Sequence, residues 1–168
     1  MLGRMKLLHP EAYQAAAEAA FRMEASRLHA LLPEAHIEHV GSSAVPGLLS
    51  KGDLDLCVLV APDAHASAVQ SLVQAGYAIK PDTLRTPELC MLLPPEPGAA
   101  PGLDLAVQLV ARGSRFEFFL HFRDALRADP ALVARYNELK RAHEHADPAR
   151  YREAKAHFVA EVLGLPRS

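Results

Sequence analysis

Tryptophan is absent from this chain of 168 residues, aromatic side chains make up only 6% of it, and there are just two cysteines. Two thiols make no disulfide framework and no zinc-ligand set. Cys57 and Cys90 each stand inside an apolar run, where a thiol behaves as a small hydrophobe, and a reducing cytoplasm fits that use. No apolar run approaches the roughly 18 residues that span a bilayer, and the first residues carry no signal-peptide core, which argues against a membrane protein. Neither sign of charge is in surplus: 18 basic against 20 acidic side chains leave a net charge of −2. That balance argues against non-specific nucleic-acid binding as the main task. Internal repeats and long low-complexity segments are missing too.

What is present describes a globular protein. Half the residues are apolar and 23% are charged, enough to bury a real core in one domain over residues 1–168. Charge is unevenly placed. Residues 1–110 hold 7 basic and 12 acidic side chains, whereas residues 111–168 hold 11 basic and 8 acidic. Either a mildly basic helical part faces an anionic ligand held by an acidic sheet, or these are ordinary solvated helix faces.

Pro10 suits the first turn of a helix that runs to Pro33 with Tyr13, Ala17, Ala20, Phe21, Leu28 and Leu31 at helical spacing. A short strand, Ile37 to Val40, ends at a Gly-Ser turn. Asp53–Val60 is the best strand in the chain. Pro62 opens a second helix closed by Gly76, and Tyr77–Lys80 and Leu89–Leu93 read as strands. Pro94–Gly102, with four prolines and two glycines, reads as a loop. Leu103–Val110 is a further strand, and Ser114 is expected to cap the next helix. Asp129-Pro130 and Asp147-Pro148 are N-cap and N1 pairs that start two more. The sum is an α+β fold: a small mixed sheet, helices around it, and a C-terminal layer of three helices.

Chemistry concentrates in residues 39–60. Successive strand residues alternate in face, so Asp53 and Asp55 point the same way, about 7 Å apart along the strand, while Leu54 and Leu56 enter a core. Two such carboxylates repel, and a hard divalent ion completed by substrate phosphates relieves the repulsion. Gly41, Ser42 and Ser43 suit the phosphates: glycine permits close backbone approach, and amides and hydroxyls donate to the oxygens. A plain turn is the competing reading. Lys51 either meets phosphate or neutralises Asp53. Asp104, at the start of its strand, is either a third carboxylate for the same ion or a solvated strand end. His143 and His145 diverge on a helix and read as surface residues. His39 reads as buried and hydrogen-bonded.

The apolar-Gly-Ser turn followed by Asp-apolar-Asp-apolar resembles the signature of the nucleotidyltransferase superfamily that includes DNA polymerase beta. HVGSSAVPGLLSKGDLDL, from His39 to Leu56, is similar to the GrpB-like family within it. HFRDALRADPALVARYNELK, from His121 to Lys140, resembles a second stretch of that family, and Tyr151, Lys155 and Phe158 resemble its last helix. The resemblance implies a nucleotidyltransferase-like mixed sheet and a Mg²⁺ (or Mn²⁺) site on Asp53, Asp55 and Asp104. It also implies nucleoside triphosphate held by Gly41, Ser42, Ser43, Lys51, Lys140 and Lys155, with its monophosphate passed to an acceptor. Arg123 also matches a family position, and beside Asp124 it reads as a structural ion-pair partner. Two departures stand out. Ala106 and Gln108 occupy positions where relatives carry His-apolar-His, and Asp53 stands where many carry an aliphatic residue. The alternative is a nucleotide-binding or regulatory module without turnover, linked to coenzyme A metabolism because such domains occur fused to dephospho-coenzyme A kinase. An antitoxin-like interaction protein is a third reading. Asp104 discriminates: within reach of the metal it favours catalysis, and turned to solvent it favours the binding module.

Overall fold

The computed structural model describes residues 6–95 and 102–166. Five strands, β1 (His36–Val40), β2 (Asp53–Val60), β3 (Ala78–Ile79), β4 (Leu89–Leu93) and β5 (Asp104–Ala111), form one sheet in the order β1-β2-β5-β4-β3. β2 and β5 run parallel and all other neighbours antiparallel. Five α-helices surround the sheet: α1 (Pro10–Leu31), α2 (His65–Gln74), α3 (Phe118–Ala128), α4 (Pro130–Ala142) and α5 (Pro148–Leu163). None of the helices described is long and apolar enough to cross a membrane. The mixed α+β architecture is the one the alternation of strand and helix signals implies.

Each sheet face has its own core. Leu54, Leu56, Val58 and Val60 of β2 pack with Leu105, Val107 and Leu109 of β5 against α1 and α2. Side chains one residue out of phase, Val40, Cys57, Leu59, Leu89 and Val110, pack on the other face against Phe116 and Leu120. Asp53 and Asp55 share the phase of Cys57 and Leu59 and so belong to this second face. On α1 the buried stripe is Tyr13, Ala17, Ala20, Glu24 and Leu28. Glu24 is tolerated there because Arg27 donates to it at 3.0 Å and the Tyr77 hydroxyl also donates to it.

A third core decides where the site forms. Val45 and Leu48, in the loop after the Gly-Ser turn, pack with Leu126, Tyr136 and Phe158 from α3, α4 and α5. The C-terminal helices therefore close on this loop. Side chains also satisfy its carbonyls: Tyr13 Oη donates to Leu48 O at 2.9 Å, Arg127 Nε to Ala44 O at 2.9 Å and Asn137 Nδ2 to Gly47 O at 2.9 Å. Asn137 Oδ1 in turn accepts from Leu49 N at 2.9 Å. A loop stitched from three helices is held rigid without regular structure of its own.

Three local expectations change. Ser114 caps no α-helix: it precedes a 3₁₀ turn (Arg115–Glu117), and its buried hydroxyl has no partner among the described residues. Glu117 instead accepts from the amide of Gly113. Pro62 opens a 3₁₀ turn, Pro62–Ala64, and the α-helix begins only at His65. The strand expected over Tyr77–Lys80 narrows to Ala78–Ile79: the Tyr77 amide donates to Leu72 O at 3.0 Å, at the end of α2, and so leaves the sheet. Residues 96–101 of the loop expected at Pro94–Gly102 lie outside the described residues.

Candidate active site

β1 ends beside β2 with Val40 opposite Asp55, so the chain turns away at the carboxylate itself. Gly41 makes that turn at φ +76° and ψ −174°, a region essentially closed to other residues. A Cβ on Gly41 would lie 2.6 Å from Asp55 Oδ2 and 3.2 Å from Asp55 Cβ. Glycine is thus required twice, for its backbone angle and for its lack of bulk. Gly41→Ala is expected to cost about 2–4 kcal/mol, from left-handed strain plus the forced displacement of Asp55. Urea unfolding measures it, and a loss below about 1 kcal/mol would contradict this geometry.

Ser42 and Ser43 open a 3₁₀ turn whose first backbone bond is donated by Ala44, to Gly41 O at 3.1 Å. The Ser42 and Ser43 amides precede that bond, as amides at helix N-termini do, and such groups suit an anion. The two hydroxyls face different ways. Ser42 Oγ accepts from Lys140 Nζ. Ser43 is buried, its hydroxyl 2.7 Å from His39 Nε2. His39 is stacked on Phe21, with Nδ1 3.4 Å from Glu18. Burial holds this imidazole below its ordinary pKa. Arg123, also buried, donates to His39 O at 3.0 Å and pairs with Glu38 and Asp124, which makes it a structural brace of β1.

The two carboxylates share one face, each partly exposed. Burial first, and the charge of Asp53 second, push the carboxyl of Asp55 up to about 6, against the pull of Lys155, Lys51 and Lys80. Lys51 Nζ stands 3.7 Å from Asp53 Oδ2. Asp104 pairs in register with Asp53, one strand over, and is exposed. Among the described residues no three His, Cys, Asp or Glu side chains gather into a metal cage. The pair Asp53 and Asp55 still fits a Mg²⁺-like ion of the kind bound by one or two carboxylates plus substrate phosphates.

Lys140 is 3% exposed, unusual for a lysine. Its ammonium donates to Ser42 Oγ and to Leu49 O, the latter at 2.7 Å, and lies 4.4 Å from the centre of the Tyr136 ring. Burial, then the charge of Lys155, lowers its pKa to about 7 although Asp53 and Asp55 oppose the shift. Lys155 is exposed, yet its charge is felt by both Asp55 and Lys140. Burial pushes the Tyr136 hydroxyl up to about 12 and raises Tyr151 as well, and the two phenols interact beside Ser42. Sequence reasoning missed Tyr13, Arg127, Tyr136 and Asn137. Arg127, Tyr136 and Asn137 were signalled by their place in the family-like stretch His121–Lys140, and Tyr13 only by its place on the buried stripe of α1. The grooves between α2 and Arg85, lined by Asp63, Ala66 and Val69, flank the opposite face and bring no comparable set of groups together.

A family model described as GrpB protein matches residues 10–164. A UPF0157 protein of Vibrio cholerae is 46% identical over 160 residues, covering 95% of this chain and 82% of its own length. One from Deinococcus radiodurans is 33% identical, covering 95% and 81%. Among solved structures, the conserved protein GrpB from Enterococcus faecalis superposes with a TM-score of 0.66 at 21% identity, covering 93% of this chain and 98% of that one. The Cid1 poly(U) polymerase, in a form with MgGTP bound, gives a TM-score of 0.52 at 19% identity. That match covers 75% of this chain and 39% of Cid1. The fold is therefore like that of GrpB and of nucleotidyltransferases.

Proposed function

This chain belongs to the GrpB family, and from that premise we propose that it is a divalent-metal-dependent nucleotidyltransferase acting on a nucleoside triphosphate and a hydroxyl-bearing acceptor. The observation that carries the reading is the contact of Gly41 with Asp55, which sets a phosphate-type turn directly against the carboxylate pair. Asp53 and Asp55, with Asp104 alongside, would hold Mg²⁺ or Mn²⁺. Such an ion would neutralise the phosphates and polarise the phosphorus under attack.

The chain's own groups do the positioning. The amides of Ser42 and Ser43 and the ammonium groups of Lys140, Lys155 and Lys51 hold the triphosphate tail. Ser43 acts through its backbone because its hydroxyl is committed to His39. The acceptor oxygen attacks the α-phosphorus, a P–O bond forms and the α–β anhydride breaks. Pyrophosphate leaves toward the lysines, and the hydroxyl proton passes to the exposed carboxylate of Asp104. Little covalent work falls to the protein; alignment and charge compensation supply the rate.

The binding-module reading is favoured by one observation, the exposure of Asp104 away from a closed metal cage. One experiment separates the two. Nucleoside triphosphates are screened by thermal shift with and without Mg²⁺ or Mn²⁺. The hits, labelled at the α-phosphate, are then incubated with an acceptor pool that includes coenzyme A precursors. Saturating ligand at a hundredfold excess over its Kd is worth about 2.7 kcal/mol of stability. Metal-dependent stabilisation with a labelled product and released pyrophosphate is the expected result. Stabilisation without product would replace the transferase by the binding module, and the absence of both would remove the nucleotide site.

A further inference from the structure

The sheet face that carries Asp53 and Asp55 continues past them across β5, β4 and β3. Strand alternation decides which side chains share it. Ile79 and Leu92 pack in the core under α1 and α2, as do Leu105, Val107 and Leu109. Their neighbours Ala78, Lys80, Met91, Leu93, Ala106 and Gln108 therefore point to the Asp55 face. Register arranges them in rows. Asp55 lies beside Ala106, and Leu93 beside Ala78. In the next row Cys57 lies beside Gln108 and Gln108 beside Met91. Lys80 closes that row, its amide donating to Met91 O at 2.9 Å.

The apolar cluster built on Phe116 and Leu120 covers part of this face, at Val40 beside Asp55 and at Cys57, Leu59, Leu89 and Val110. At the Asp55 end, Ala106, Met91 and Leu93 are partly exposed and Ala78 is open. The result is a shallow, half-apolar shelf that begins at the carboxylate pair. Two polar groups border it. Lys80 is exposed at its outer edge, and its charge reaches Asp55. Gln108 is 3% exposed, yet among the described residues its side-chain amide makes no hydrogen bond. The fully buried side-chain atom without a partner among the described residues is Ser114 Oγ, not this amide; Gln108 lies in the shelf's floor between the carboxylates and Lys80. Three strand spacings, about 14 Å, separate β2 from β3, and the stem of Lys80 shortens the span that a ligand has to bridge.

We propose that this shelf is the acceptor subsite, and that the acceptor is a small hydroxylated phosphate of pentose 5-phosphate size, its phosphate held by Lys80 and a hydroxyl by Gln108. The inference rests on the transferase reading for what happens at Asp55. Binding at the shelf is independent of nucleotide. The shelf's width sets the distance between the reacting hydroxyl and the phosphate, and Lys80 at its edge sets the preference for a compact anion. Its apolar floor accepts the carbon face of a sugar ring.

The test uses the full chain free of nucleotide and metal, titrated with ribose 5-phosphate and with ribose. NMR follows the Gln108 side-chain amide. Ribose 5-phosphate is expected to shift that resonance saturably and ribose to bind at least tenfold more weakly. Lys80→Gln should bring ribose 5-phosphate to the level of ribose, and Lys80→Arg should restore it. Gln108→Leu should weaken binding several-fold. Equal binding of the two sugars, undiminished affinity in Lys80→Gln, or no saturable binding overturns the assignment. Preference for a 5′-phosphorylated RNA oligonucleotide by tenfold or more overturns the small-molecule acceptor. Sugar phosphate that binds without any metal-dependent nucleotide transfer sinks the transferase reading and leaves the shelf. Transfer in a chain that binds no sugar phosphate sinks the shelf alone.

Discussion

Asp55→Asn is expected to lose metal-dependent nucleotide transfer by at least about 100-fold, in the range for removing one group that stabilises transition-state charge, while gaining stability in EDTA. The carboxyl of Asp55 is pushed up to about 6 in the free fold, by burial and then by Asp53, against about 3.9 in an unfolded chain. Below pH 4 the group is protonated in both states and contributes nothing. Between pH 4 and pH 6 the unfolded chain ionises first, so the fold loses stability as pH rises, and above pH 6 the penalty is complete. At 1.36 kcal/mol per unit, less a discount for partial exposure, it amounts to about 1–2 kcal/mol. Asparagine keeps the volume and cannot titrate. Urea unfolding in EDTA should therefore find parent and variant equal at pH 4 and the variant more stable at pH 8. Identical stability at both pH values would show that Asp55 carries no such penalty, and a variant that still transfers would remove it from the site.

Lys140→Met should weaken Mg-triphosphate binding by about 2–4 kcal/mol, or roughly 30-fold to 1,000-fold, the range for removing one member of a buried charged pair. In the free chain its pKa is lowered to about 7, by burial before all else. A bound polyphosphate favours the ammonium, so above pH 7 binding must take up a proton. Affinity of the parent should fall by up to about tenfold per unit from pH 7 to pH 9, and that slope should be missing in the variant. Calorimetry in buffers of different ionisation heat counts the proton directly. Without ligand the sign is separate. A lysine whose pKa is depressed in the fold weakens it as pH falls from about 10 toward 7, and methionine removes that slope while leaving Leu49 O without its donor. Triphosphate affinity unchanged by the substitution would return Lys140 to a purely structural clamp of the loop.

The degree to which the sequence disclosed all this differs between elements for physical reasons. β2 was legible to the residue because the alternation of Asp53, Leu54, Asp55 and Leu56 is a period-2 pattern with a strong contrast. The starts of α4 and α5 were legible because Asp129 and Asp147 accept from the amides two residues on, at 2.9 and 3.0 Å, a bond local to three residues. Ser114 misled because a hydroxyl before an apolar run looks like a cap whether or not a helix turn begins beside it. β3 misled because Tyr77, a good strand residue, gives its amide to the carbonyl of Leu72 at the end of α2.

The sequence by itself determined whatever depends on neighbours a few residues apart: the α+β order of elements, the shared face of Asp53 and Asp55, the Gly-Ser turn and the family. Only the tertiary structure decided that Gly41 abuts Asp55, that Asp104 stands beside Asp53 and exposed, that Ser43 faces inward to His39, and that Lys140 is the buried ammonium while Lys155 is the open one. Those outcomes turn on strand register and on the closure of α3, α4 and α5 over the loop at residues 44–49. A lysine carries no local mark of burial. Its pKa and its partners are set by the packing of side chains some ninety residues away, as Lys140 and Leu49 are.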